Sequence, residues 1–219
     1  MVVYYTSINW ISNDANNQEE PGTGAKWSKF NANRFFRKIT TVAEIATGTF
    51  IVGDKLTITD RNNASFDVVA GGTANGRGII DAGNSNTAIY STDKIVNANA
   101  FGTDIIAAQD AINYAIANSA TNLNFNGLVL TGGLLVNGAT KLQINGGNCY
   151  ITSDTLSISP FKVANSSQLN ISSIGATQPL GGADMINATS ILVVDSEKIF
   201  IRDCDIDATN FNGIQFVNV

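Results

Sequence analysis

A chain of 219 residues with 18 acidic against 13 basic residues, net charge −5, lacks the clustered cations that a phosphate backbone requires, which excludes nucleic acid as a partner. Hydrophobic residues make up 44% and charged ones only 14%, so the chain can build a core and solvates itself with Asn, Ser, Thr and Gly. Histidine is absent, which removes Ser-His-Asp and Cys-His chemistry and the commonest transition-metal ligand, and Cys149 and Cys204 have no zinc or disulfide-framework spacing, so no metal and no cofactor is expected.

Residues 1–39 differ in composition from the rest. Met1-Val-Val-Tyr-Tyr-Thr-Ser has no basic region followed by an apolar run, and no apolar stretch approaches the roughly 20 residues that span a bilayer. The expectation is a product made in a cytoplasm with no signal peptide and no membrane insertion. Tyr4, Tyr5, Trp10 and Trp27 crowd around an Asn-rich turn at 13–24. This pattern resembles the short aromatic carbohydrate-binding modules of chitinases and phage fibres, which makes Trp10 and Trp27 candidate sugar-stacking residues. The alternative is that these rings are the only core a very small module has. A third reading is docking to a virion adaptor, with Arg34-Phe-Phe-Arg-Lys38 adding a basic, apolar contact.

Residues 40–101 separate this module from the segment that follows. Residues 102–219 open on a helix. Thr103 or Asp104 is a good N-cap, and Ile105, Ala108, Ile112, Ala115 and Ile116 recur at helical spacing.

A repeat follows. Apolar-x-apolar pairs occur at Leu134/Val136, Phe161/Val163, Ile191/Val193 and Ile214/Phe216, at successive shifts of 27, 30 and 23 residues. The first three are each followed at one offset by a second pair, Leu142/Ile144, Leu169/Ile171 and Ile199/Ile201. Period-2 alternation gives short strands with one face buried, and a unit of roughly two dozen residues is one circuit of a solenoid with parallel stacking. Asn137-Gly138, Asn145-Gly146, Asn165-Ser166, Asp195-Ser196 and Asn212-Gly213 supply residues that tolerate tight corners. The preceding helix is expected to plug the first coil, whose core would otherwise be open.

Phe101-Gly-Thr-Asp-Ile-Ile-Ala-Ala-Gln-Asp-Ala-Ile-Asn-Tyr-Ala, followed by Leu123-Asn-Phe-Asn-Gly-Leu-Val-Leu, resembles the capping helix and first strands of the pectate-lyase-like superfamily, particularly bacteriophage tailspikes. It departs from that pattern at Ile105 and Ile106, where the family has Asp and Thr. The resemblance covers roughly residues 40–219 and implies an all-β chain in which residues 40–101 are a β-rich linker domain, with Gly53-Asp54 turning into the strand Lys55-Leu-Thr-Ile58, and the C-terminal half is a right-handed parallel β-helix. It further implies a homotrimer in the virion tail, bound to other tail or baseplate proteins and to a bacterial surface polysaccharide, capsule or lipopolysaccharide. Depolymerase activity accompanies binding in many such proteins. A stand-alone polysaccharide hydrolase or lyase and a structural virion connector are the competing functions.

Two groups of residues are candidates for the site. Asp203, Asp205 and Asp207 flank the inward Cys204 and Ile206, so alternation points all three outward, and next-but-one residues on a strand lie about 6–7 Å apart, compatible with a hydrolytic acid pair. The same alternation makes Gln143, Asn170 and Phe200 an outward column, either a sugar platform or a subunit contact, though stacked amides also simply stabilise. Val219 falls in mid-coil with no closing cap, so the chain is expected to be truncated.

Overall fold

The computed structural model describes residues 2–5, 8–12, 27–30, 36–48, 50–91, 94–153, 155, 158–177, 189–207 and 212–219. Among these, nineteen strands form four sheets accompanied by two α-helices, an all-β chain with extensive parallel pairing.

Strands β1 (Val2–Tyr5), β2 (Ile8–Ser12) and β3 (Trp27–Phe30) form an antiparallel sheet. Trp10 stands opposite Lys29 and Trp27 opposite Ser12; the side chains of both tryptophans lie outside the described residues, as do Arg34 and Phe35.

A second sheet takes β4 (Phe36–Ile39), β5 (Lys55–Ile58), β6 (Ala64–Ala70), β7 (Ile79–Asp81) and β8 (Asn86–Tyr90) in the order β4-β5-β6-β8-β7. Only β4 and β5 pair in parallel, and the crossover that such a pair needs contains α1 (Val42–Thr47). Thr41 caps this helix by accepting from the Glu44 N–H, and the Glu44 carboxylate reaches back to accept from the Thr40 N–H at 3.3 Å, one residue before the cap. Gly53, at φ +93°, and Asp54, whose carboxylate accepts from the Ile51 N–H, make the turn into β5. Arg37 lies over the Phe50 ring, 4.9 Å from its centroid.

The remaining strands are all parallel. One sheet contains β9 (Ile95–Asn97), β10 (Asn122–Asn124), β11 (Val129–Thr131), β13 (Gln143–Thr152), β15 (Ser167–Thr177), β17 (Glu197–Arg202) and β18 (Asp205–Asp207). The other stacks β12 (Leu134–Asn137), β14 (Phe161–Ala164), β16 (Thr189–Val194) and β19 (Asn212–Val217) in chain order. From β12 onward the chain alternates between the two sheets, with β17 and β18 following each other in the first. Leu134 pairs with Phe161, Phe161 with Ile191 and Ile191 with Ile214, which reproduces the shifts of 27, 30 and 23 residues.

Inward columns explain why the register holds. Val96, Leu123, Ile144 and Ile171 stack in line and are fully buried, as are Val136, Val163 and Val193. Burying each aliphatic side chain contributes about 1.5–3 kcal/mol, and a slip of one residue would turn a whole strand's set to solvent. At one row of corners Gly138, Asn165, Asp195 and Asn218 all take positive φ, and Asn165 donates to the Asn137 side chain at 2.9 Å. Just past them the buried hydroxyls of Ser166 and Ser196 each donate to a carbonyl two residues back and accept an N–H from the adjacent circuit. Asn212-Gly213 is not a corner: both residues lie within β19, and Thr189 stands opposite Asn212.

Helix α2 (Ile105–Ala117) begins at Asp104, whose carboxylate accepts from the Ala107 N–H at 2.7 Å. The first parallel strand, β9, precedes this helix in sequence and pairs with β10 after it. The Gln109 carboxamide donates to the Leu135 carbonyl and accepts from the Leu135 N–H, both at 2.8 Å. It thereby pairs with the free edge of β12 as a neighbouring strand would. Phe66, Tyr90, Phe101 and Tyr114 meet edge to face, with centroids 5.2–5.7 Å apart, and join the mixed sheet to the helix in one continuous core.

Candidate functional site

The outward face of the sheet containing β9, β10, β13, β15 and β17 is made by one three-residue rule, outward-inward-outward. Ile95-Val-Asn97, Asn122-Leu-Asn124, Gln143-Ile-Asn145, Asn170-Ile-Ser172 and Phe200-Ile-Arg202 stack in register. Gln143, Asn170 and Phe200 therefore stand in one column, as alternation and the repeat require. Neighbouring rungs are about 4.8 Å apart, so the three span roughly 10 Å.

The column has polar centres and apolar ends. Phe200 is 67% exposed and Ile95 50% exposed, with Asn122, Gln143 and Asn170 between them. The Asn170 Oδ1 is shielded from solvent and accepts no hydrogen bond from the protein, a state that costs about 1–3 kcal/mol. In the companion column Asn97 Oδ1 accepts long 3.4 Å contacts from Asn124 and Asn126. A cleft of about 280 Å³ opens where both columns begin, lined by Arg61, Asn63, Ser65, Ser91, Ile95 and Asn97. Arg61 is committed there: its guanidinium donates to the Phe101 and Gly76 carbonyls, and burial draws its pKa below the ordinary value against the opposing charges of Asp60 and Asp104.

Two residues before Gln143, Asn170 and Phe200 the backbone turns left-handed, and Lys141, Gln168 and Lys198, at φ 54°, 56° and 55°, stack at that corner. All three are exposed. Sequence reasoning located Gln143, Asn170 and Phe200 but not the two earlier rungs, although Ile95-Val-Asn97 and Asn122-Leu-Asn124 carry the same pattern. A helix interrupts the first interval and the second shortens to 21 residues.

The three aspartates separate. β17 ends at Arg202, and Asp203, at φ 52°, turns a corner in line with Ser173 before β18 begins at Asp205. Asp203 therefore does not share a ribbon with the other two, because the alternation that assigned it is broken by the corner. Asp205 is exposed and in line with Gly175 and Tyr150, and the Asp207 side chain lies outside the described residues. The Tyr150 ring covers Gly175, where a Cβ would meet the ring at 2.2 Å. Cys149 and Cys204 face inward on either side of Ile174. Burial pushes the Cys149 thiol up to about 12 and raises that of Cys204 too, which keeps both neutral.

No protein-family model matches the chain, and no curated protein is significantly similar to it.

Proposed function

We propose that the two parallel sheets are faces of a right-handed parallel β-helix and that the chain belongs to a phage tailspike or tail fibre that attaches to a bacterial surface polysaccharide. Parallel crossovers are right-handed in about 98% of cases, which supports the hand. The single observation that carries the function is the outward column Gln143, Asn170 and Phe200, an exposed ring next to amides spaced along a rigid ladder. An aromatic face packs on the apolar face of a sugar ring while exposed amide groups, here Gln143 first, pair with its hydroxyls. The proposed assembly is a homotrimer in the virion tail, held to other tail or baseplate proteins.

The test is an array of purified bacterial capsular polysaccharides and lipopolysaccharide O-chains probed with the whole chain and with Phe200→Ala. Binding to at least one glycan, weakened tenfold or more in the variant, is the expected result. A folded chain that binds none overturns the reading. Light scattering over a range of concentrations should give a trimer mass. Release of reducing ends or unsaturated sugar from the bound glycan would add depolymerase activity, and binding without turnover would limit the protein to attachment.

A further inference from the structure

The amide columns run between cations in a chain that is acidic as a whole. Lys141 and Lys198 stand at the corner just before Gln143 and Phe200, and Arg202 closes the companion column beyond Ser172. From residue 120 onward the sequence has four basic residues, Lys141, Lys162, Lys198 and Arg202, so three of the four border this one face. All three are exposed, and none forms an ion pair among the described residues. One acid, Glu197, lies on the same margin; Asp203, which turns the next corner, and the exposed Asp205 lie past Arg202.

The backbone does not ask for lysine there. Positive φ is satisfied most readily by Gly, Asn or Asp, and the other corner row uses Gly138, Asn165, Asp195 and Asn218 for that conformation. Lys141 and Lys198 adopt the same conformation with long cationic side chains, two rungs or about 10 Å apart. The corner explains a left-handed residue but not its charge.

We infer that the ligand of this face is an acidic, carboxylate-bearing polysaccharide, bound over the amide columns with its carboxylates between Lys141 and Lys198 on one margin and Arg202 on the other. This rests on the glycan-attachment reading and specifies its substrate class. Lys and Arg donate charge-assisted hydrogen bonds to carboxylates, and exposed pairs of this kind weaken as salt rises.

The experiment compares carboxylated bacterial capsular polysaccharides, each beside its carboxyl-reduced neutral form, as ligands of the whole chain and of the triple variant Lys141→Gln, Lys198→Gln, Arg202→Gln. Gln168 already occupies the middle of the corner row, so glutamine fits that backbone. The expected result is binding to a carboxylated polymer that drops at least tenfold on carboxyl reduction, on raising salt to 0.5 M and in the triple variant, with the thermal unfolding midpoint unchanged. Equal affinity for the neutral forms, or an unaffected triple variant, overturns the acidic class while leaving glycan attachment standing. Failure to bind any polysaccharide, reduced or not, removes both.

Discussion

The two parallel sheets are built by the same strands-and-corners circuit, yet their outward faces differ. One presents Asn122, Gln143, Asn170 and Phe200 in line. The other presents Leu135, Lys162, Leu192 and Gln215, with Leu192 only 3% exposed and a cleft of about 250 Å³ among Leu135, Ile158 and Lys162. Inward positions are alike in both sheets, apolar and buried, until the last rungs, where Ile199, Ile201 and Ile214 are half-buried and Phe216, in line with Val193, is 51% exposed. Stacking dictates what faces in and leaves the outward composition free, so the amide face is not a requirement of the fold.

Two phenylalanines test that separation most severely. Phe161 is fully buried in an inward column, and truncation to alanine removes its burial and leaves a cavity, at a cost of about 3–5 kcal/mol. Phe200 is outward on an end rung, and Phe200→Ala should change stability by no more than about 0.5 kcal/mol. Urea denaturation followed by circular dichroism measures both. Equal losses would show that the register does not sort inward from outward positions as described.

Much of the register was legible in the sequence, because the columns are made of residues that repeat: Leu134, Phe161, Ile191 and Ile214 announce their own pairing. Asp104 and the apolar spacing of Ile112 and Ala115 announced α2 as well. What escaped notice depends on tertiary context. Helix α1 has six residues, too few for a periodic signal, and is marked only by Thr41 and Glu44. The rungs at Ile95 and Asn122 are hidden by the helix between them. Asp203 looked like a strand residue because nothing in Arg202-Asp-Cys-Asp205 marks a corner, whereas Asn165 and Asp195 sit in Asn-Ser and Asp-Ser pairs that do. At the candidate site, alternation gave the outward column, but not the Tyr150 ring over Gly175, which follows from register between distant circuits.

The helix-covered edge of β12 sharpens the comparison from another side. Gln109 completes that edge with two hydrogen bonds to Leu135, each worth about 0.5–1.5 kcal/mol net. Gln109→Ala should cost about 2 kcal/mol, and amide exchange at Leu135 should accelerate while Val163, in the strand beyond, stays protected. Gln109→Glu keeps the acceptor for the Leu135 N–H but loses the donor to its carbonyl, and should cost at least as much. If Gln109→Ala leaves both stability and exchange unchanged, the carboxamide does not seal the edge.

The smallest effect concerns pH and separates the dry interior from the wet faces. Cys149 is fully buried, and its thiol, ordinarily near 9.0, is pushed up to about 12. In the unfolded chain the thiol ionises at its ordinary value while the folded thiol stays neutral, so the stability this group contributes is intact below about pH 9 and is lost as pH rises toward 12. The raised thiol of Cys204 acts in the same direction. Replacing Cys149 with alanine removes its share: between pH 8 and pH 10 the variant should lose about 1 kcal/mol less stability than the parent chain, whatever its own cost at neutral pH. Parallel stability curves for the two proteins across that interval would mean that the thiol at the Ile174 rung is open to water, and that the interior between the sheets is less dry than its burial implies.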